Sequence, residues 1–156
     1  MAELKEGDKA PAFIGLDQDG NKISLADYKG KKLVVYFYPE DDTPTCTVQA
    51  CNLRDNYSLL KKEGFEIIGI SPDNVKKHKK FETKYKLPFT LIADEGNKII
   101  DMYGVWGEKQ MFGHKYMGVF RTTFLVDEKG KIRKIIKRPK NKNHAEEIIT
   151  VWNTNN

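Results

Sequence analysis

The chain has 156 residues, the length of one ordinary domain, enough to bury about two thirds of its unfolded surface without disulfides or a structural metal. Hydrophobic residues make up 39%, aromatic residues 11% and charged residues 31%, and no apolar run nears the ~20 residues that cross a bilayer, which excludes a disordered chain and a helical membrane protein. Twenty-seven Lys and Arg against 22 Asp and Glu leave a net charge of +5, which permits nucleic-acid binding without requiring it.

The start, Met1 to Asp8, carries acids and no apolar stretch of the secretory kind, so a cytoplasmic protein is expected. Gly7-Asp8-Lys9-Ala10-Pro11 is a turn-rich lead-in. Phe13 to Leu16 and Lys22 to Leu25 flank Asp19-Gly20 and predict an N-terminal hairpin. Leu33 to Tyr38 is an unbroken β-branched and aromatic run, the mark of a strand buried on both faces, and Phe65 to Ile70 and Thr122 to Val126 repeat it. A helix is expected from about Thr43 to Lys62 and another from Asn74 to Tyr85. Ile132 to Ile136 closes a hairpin with the third buried strand, and His144 to Trp152 reads as a final helix. No repeat or linker divides the sequence, so residues 1–156 read as a single domain. The order β-α-β-α-β-β-α is that of a thioredoxin-like α/β fold: an N-terminal β-hairpin extension and a central mixed sheet flanked by helices.

Seven of the twelve residues from Lys131 to Lys142 are cationic and none is acidic, and Lys76, Lys77, Lys79 and Lys80 cluster on a predicted helix. Neither patch has the interleaved aromatics that stack on bases, so both read as solvated faces, and no nucleic-acid partner is expected. Two cysteines are too few for a disulfide scaffold or a structural zinc site, and His78, His114 and His144 show no metal-ligand spacing. No metal or cofactor is expected.

Chemistry concentrates in Tyr38 to Cys51, which leaves the end of a buried strand and enters a helix, where open α/β sheets gather their ligand sites. Thr43 followed by Pro44 is a helix start, with Thr at the N-cap and Pro at the first helical position. Cys46 then falls in the first turn, where free N–H groups and the helix dipole favour an anion such as a thiolate. The competing reading is a small core residue, because Cys46, Ala50, Leu53, Tyr57 and Leu60 share one helical face. Cys51 stands five residues on. In an intact helix the two Cα atoms would be about 8–9 Å apart and rotated by about 140°. A disulfide needs Cα atoms within about 7 Å. Either Cys51 is an unrelated packing residue, or the two form a redox pair whose oxidation requires local unwinding.

Pro39-x-x-x-Thr43-x-x-Cys46 matches the active-site signature of the peroxiredoxins, and the string from Phe37 to Asp55 resembles their bacterioferritin comigratory protein, or peroxiredoxin Q, branch. The resemblance continues through Gly69-Ile70-Ser71-x-Asp73, Lys84-Tyr85-x-Leu87-Pro88-Phe89, Tyr103-Gly104-Val105-Trp106 and Arg121-x-Thr123-Phe124-Leu125-Val126-Asp127. It implies a thiol peroxidase in which Cys46 is the peroxidatic cysteine, Thr43 contacts the peroxide, Pro39 shields the sulfur from water and Arg121 completes the pocket. Cys51 matches the resolving cysteine that some members carry in the same helix. The implied cycle reduces hydrogen peroxide and organic hydroperoxides through a Cys46 sulfenic acid, closes a Cys46–Cys51 disulfide in a monomer, and is reset by thioredoxin. Thr45 stands where the branch often has Gly, and Gln49 where it often has Glu; neither falls on a signature position. The rival expectation keeps the fold without multi-turnover catalysis, as a redox sensor or binding module.

Overall fold

The computed structural model describes residues 3–154. The expected N-terminal hairpin forms from β1 (Ile14–Leu16) and β2 (Lys22–Ser24), with Gly20 in the left-handed region at φ +79°. After a 3-10 turn over Leu25–Tyr28 come β3 (Lys32–Phe37), α1 (Pro44–Asp55), α2 (Tyr57–Lys62), β4 (Phe65–Ser71) and α3 (Val75–Tyr85). Then follow β5 (Thr90–Ala93), α4 (Lys98–Met102) and the hairpin β6 (Trp106–Met111) with β7 (His114–Val119). The chain closes with β8 (Thr122–Val126), β9 (Ile132–Lys137) and α5 (His144–Trp152).

One sheet runs β2-β1-β5-β4-β3-β8-β9, with β3, β4 and β5 parallel and the remaining pairs antiparallel. In chain order, β3-α1-β4-α3-β8-β9-α5 is the β-α-β-α-β-β-α pattern read from the sequence. The segment between α3 and β8 is an insertion that adds β5, α4 and the separate β6–β7 ribbon.

The alternation of β3 divides the core. Val34, Tyr36 and Tyr38 face Cys46, Ala50 and Leu53 of α1, together with Leu60, Phe81, Ile148 and Trp152. Leu33, Val35 and Phe37 face the other way, onto Ile68, Ile70, Ile99, Ile100 and Tyr103. This is why the run carries no polar alternation: both faces are covered. Each such large side chain contributes about 1.5–3 kcal/mol by leaving water.

One expectation is corrected, and the structure adds elements that no expectation covered. The helix foreseen over Thr43 to Lys62 breaks at Asn56, at φ −111° and ψ 16°, where the side-chain amide donates to the Asn52 carbonyl at 2.9 Å alongside the Asn56 backbone N–H at 3.2 Å. Asn competes in this way with the helical ladder. The β6–β7 ribbon was not foreseen, because its strands are mostly polar and exposed and its turn is Phe112-Gly113, both at positive φ (51° and 81°). Such turns ordinarily advertise themselves by Asn-Gly or Asp-Gly. Finally, β5 and α4 span only four and five residues, too short for periodicity to register.

The cations from Lys131 to Lys142 fall just before, on and after β9, an edge strand. Arg133 stacks 4.8 Å from the Trp152 ring centroid and donates to the Trp152 carbonyl, and Lys137 pairs with Glu3. Charges on an edge strand discourage further pairing. No helix of the described residues is long and apolar enough to cross a membrane.

Gly69 sits opposite Tyr36 in the β3–β4 register, and a Cβ there would lie 2.8 Å from Tyr36 Cζ and 2.9 Å from its Oη. The Tyr36 ring occupies the space a side chain would need, and its buried hydroxyl has no partner among the described residues. Burial, with the charge of Asp41 next in effect, pushes that phenol well above its ordinary range. Gly69→Ala is expected to cost about 1–3 kcal/mol through overpacking, read from the denaturant midpoint. A loss below about 0.5 kcal/mol would mean that Tyr36 yields freely.

Candidate active site

The site begins where β3 stops. Tyr38 still pairs with β4, its N–H donating to the Ile70 carbonyl at 3.1 Å, and residues 39–43 then turn the chain into α1. Asp42 makes the turn in the left-handed region at φ 59°. Pro39 is partly buried at the start of this loop.

Thr43 holds the N-cap position and Pro44 the first helical one, as expected. The Thr43 carbonyl accepts from Thr47 N–H at 2.8 Å, but the hydroxyl does not cap the helix. It donates backwards to the Glu40 carbonyl at 2.9 Å. This departs from the expected side-chain cap. With its proton committed to Glu40, the hydroxyl oxygen keeps its lone pairs for a donor arriving from outside.

Cys46 sits in the first turn, 1% exposed, against Ala50, Leu53 and the β3 aromatics. The core-residue reading is therefore accurate for its packing. It omits one contact: Arg121 Nη2 donates to Cys46 Sγ at 2.9 Å. The topology explains how a residue 75 positions away arrives there. β8 runs antiparallel to β3, and Thr122, its first residue, pairs with Phe37, the last of β3. Arg121 therefore leaves the sheet beside the loop that carries Cys46. A guanidinium N–H aimed at sulfur makes a charge-assisted hydrogen bond that becomes an ion pair when the thiol ionises.

Gln49, 0% exposed, is the residue that sequence reasoning set aside as outside the signature. Its Oε1 lies 3.5 Å from Arg121 Nη1, so the guanidinium spans Cys46 and Gln49, one helical turn apart. Gln49 Nε2 has no partner among the described residues. Thr45 is exposed. Cys51 lies partly buried five residues along the intact α1, and both cysteines are free thiols.

Beside Arg121 opens a cavity of about 880 Å³ whose walls include Met102, Val105, Phe120 and Phe124, with Lys109 and Arg138 among its cations. Cys46, Thr43 and Pro39 do not line it; it joins the site through Arg121. Lys109 donates to the Val119 carbonyl at 2.9 Å, and its ammonium is held below the usual lysine range by desolvation first and the charge of Arg121 second.

On the other side of the loop, Asp41, Asp73 and His78 bring potential metal-ligand atoms within 4.8 Å of one another, a grouping the histidine spacing did not suggest. Asp41 Oδ2 and His78 Nδ1 meet directly at 2.5 Å, so these groups fit each other rather than an ion between them.

The pattern of the AhpC/TSA family matches residues 6–135. A protein called peroxiredoxin Bcp from Escherichia coli K12 is 46% identical over 149 residues, 96% of this chain and 96% of its own length. Among solved structures, a PrxQ variant from Xylella fastidiosa superposes with a TM-score of 0.89 at 26% identity, over 97% of this chain and 96% of its own. A bacterioferritin comigratory protein from Xanthomonas campestris, studied for alkyl peroxide reduction, gives a TM-score of 0.84 at 29% identity, over 90% of this chain and 89% of its own.

Proposed function

The chain belongs to the AhpC/TSA family, in its peroxiredoxin Bcp and PrxQ branch, and on that premise we propose a catalytic cycle for it as a thiol peroxidase. The observation that carries the assignment of residues is the 2.9 Å contact between Arg121 Nη2 and Cys46 Sγ at the first turn of α1. An ionised Cys46 attacks the outer oxygen of a hydroperoxide in line with its O–O bond. The S–O bond forms as the O–O bond breaks, and negative charge moves to the departing oxygen. Arg121 and the free N–H groups of the first turn stabilise that charge, and a proton completes water or an alcohol. Thr43, its hydroxyl proton held by Glu40, accepts from the peroxide O–H and fixes the line of attack. Pro39, which offers no N–H, screens the sulfur from water at the loop's entrance.

Cys46 is left as a sulfenic acid. Its helical placement keeps Cys51 out of reach, so the first turns of α1 must uncoil before the Cys51 thiolate attacks the sulfenic sulfur and closes the disulfide. The S–O bond breaks to release hydroxide, which takes a proton from solvent and leaves as water. Thioredoxin, an external dithiol, then reduces it. A resolver on the same helix supports a monomer acting as one domain over residues 1–156, and two free thiols support a reducing, cytoplasmic setting. The apolar walls of the cavity beside Arg121 support organic hydroperoxides as substrates besides hydrogen peroxide.

The test is intact-mass analysis of the reduced protein after one equivalent of peroxide, with turnover followed in the presence of thioredoxin and its reductase. A loss of two hydrogens without dimer, and sustained peroxide consumption, are expected. Single-turnover oxidation without consumption would point to a sensor. In Cys51→Ser the first oxidation should keep its rate within about twofold, while the mass gains one oxygen instead of losing two hydrogens, because only the second step uses that sulfur. An intramolecular disulfide in that variant is impossible, so a wild-type-like second step would assign resolution elsewhere.

A further inference from the structure

Asp41 lies in the loop that delivers Cys46, yet the cycle above gives it no part. It is 2% exposed, an unusual place for a carboxylate. Its bonds are complete. Tyr38 Oη donates to Oδ1 at 2.5 Å, His78 Nδ1 meets Oδ2 at 2.5 Å, and the Asp41 backbone N–H donates to Asp73 Oδ2 at 2.7 Å. His78, on α3, is wholly buried; its Nε2 faces the Ile92 carbonyl of β5 at 2.9 Å. A carbonyl oxygen only accepts, so Nε2 carries a hydrogen. The Nδ1–Oδ2 contact holds a second one, and the pair is neutral overall whichever partner carries it.

The neighbouring residues are tied down the same way. Glu40 and Asp73 both pair with Lys77, at 2.6 Å and 3.0 Å, and Ser71 Oγ donates to Asp73 Oδ2 at 2.7 Å. Asp42 accepts from Lys84 and from Tyr85 Oη, each at 2.7 Å. The ion pairs of Glu40 and Asp42 are exposed and individually weak, while Asp73 is largely covered. The inner pair is dry, where a charge-assisted bond is strong and an unmatched group costly.

The geometry points to Asp41 and His78 as positioning residues: they hold residues 38–42 against α3 and β5 as a fixed abutment from which α1 uncoils, and so set the balance between the coiled state that attacks peroxide and the uncoiled state that closes the disulfide. This rests on the cycle proposed above. The loop and the helix meet at Thr43, so uncoiling that begins at Pro44 leaves the abutment standing, and Cys46 recoils to one place after each reduction. Freeing the abutment lets disorder spread backwards and raises the uncoiled population.

Stopped-flow fluorescence with hydrogen peroxide separates oxidation from disulfide closure in the wild type, His78→Gln and Asp41→Asn. In both variants, closure should accelerate about tenfold, the factor carried by one buried hydrogen bond, and oxidation should not accelerate. Ile132→Val, a core change in β9 within the other apolar cluster, away from α1, serves as the control for general destabilisation and should leave the ratio of the two steps unchanged. Closure within about twofold of wild type in both variants would overturn the proposal.

Nuclear magnetic resonance on the wild type provides the second measurement, independent of whether the variants fold. On passing from dithiol to disulfide, the ring N–H signals of His78 should persist while the amides of residues 46–50 lose protection. Joint loss would mean that the loop travels with the helix. A wild-type protein that oxidises without ever losing two hydrogens would overturn the cycle itself, whatever the variants do.

Discussion

Cys46→Ser is expected to keep the fold and to lose thioredoxin-coupled peroxide turnover by at least about three orders of magnitude. The substitution trades one atom in a site 1% exposed, so packing against Ala50 and Leu53 is preserved within the volume of a sulfur. The chemistry does not survive it. A serine hydroxyl stays protonated at neutral pH, and Arg121, which now donates to sulfur, cannot ionise an alcohol. Coupled oxidation of reduced nicotinamide cofactor by the reductase measures the loss. Turnover within tenfold of wild type would mean that Cys51, the other thiol of the chain, is the one peroxide meets.

Arg121→Gln is expected to slow Cys46 oxidation by about 10² to 10³, the range for removing one preorganised donor aimed at developing charge. The side chain is held for the purpose: its backbone carbonyl accepts from Arg138 N–H at 3.3 Å, and the first pair of β8 with β3 fixes its position beside the loop. Arg121→Lys should recover only part of the rate. An ammonium restores charge but cannot span Cys46 and Gln49 at once, as the guanidinium fork does. The second-order rate constant of the first fluorescence phase is the readout. A change smaller than threefold in Arg121→Gln would shift the stabilising role to the helix N–H groups alone.

The inner strands β3, β4 and β8 were legible because burial on both faces removes polar residues from a strand, and that absence is visible in a one-dimensional string. α3 and α5 fall where Asn74 to Tyr85 and His144 to Trp152 read as helices; Asn74 accepts from Lys77 N–H at 2.8 Å as an N-cap does, whereas Asn143 caps α5 with no side-chain bond. Cys46 in the first turn of α1 followed from Thr43 and Pro44. What stayed hidden depends on contacts made at long range. The reach of Arg121 to Cys46 comes from an antiparallel pairing that no local pattern encodes, and only the resemblance foretold it. Asp41 and His78 stand 37 residues apart, each ordinary on its own. The Thr43 hydroxyl turning towards Glu40 and the break at Asn56 are choices between competing hydrogen bonds of similar strength, which composition does not decide.

In the proposed cycle both thiols ride one helix, and that sets up a race. After the first oxygen atom is delivered, melting of α1 competes with a second molecule of oxidant for the same sulfur. Slow melting leads to sulfinic acid and a dead protein; fast melting leads to a disulfide and another round. The lifetime of the catalyst under a burst of oxidant is thus set by how readily a few backbone hydrogen bonds at the head of a helix come apart, and substitutions that merely stiffen that turn, far from any substrate, shorten it.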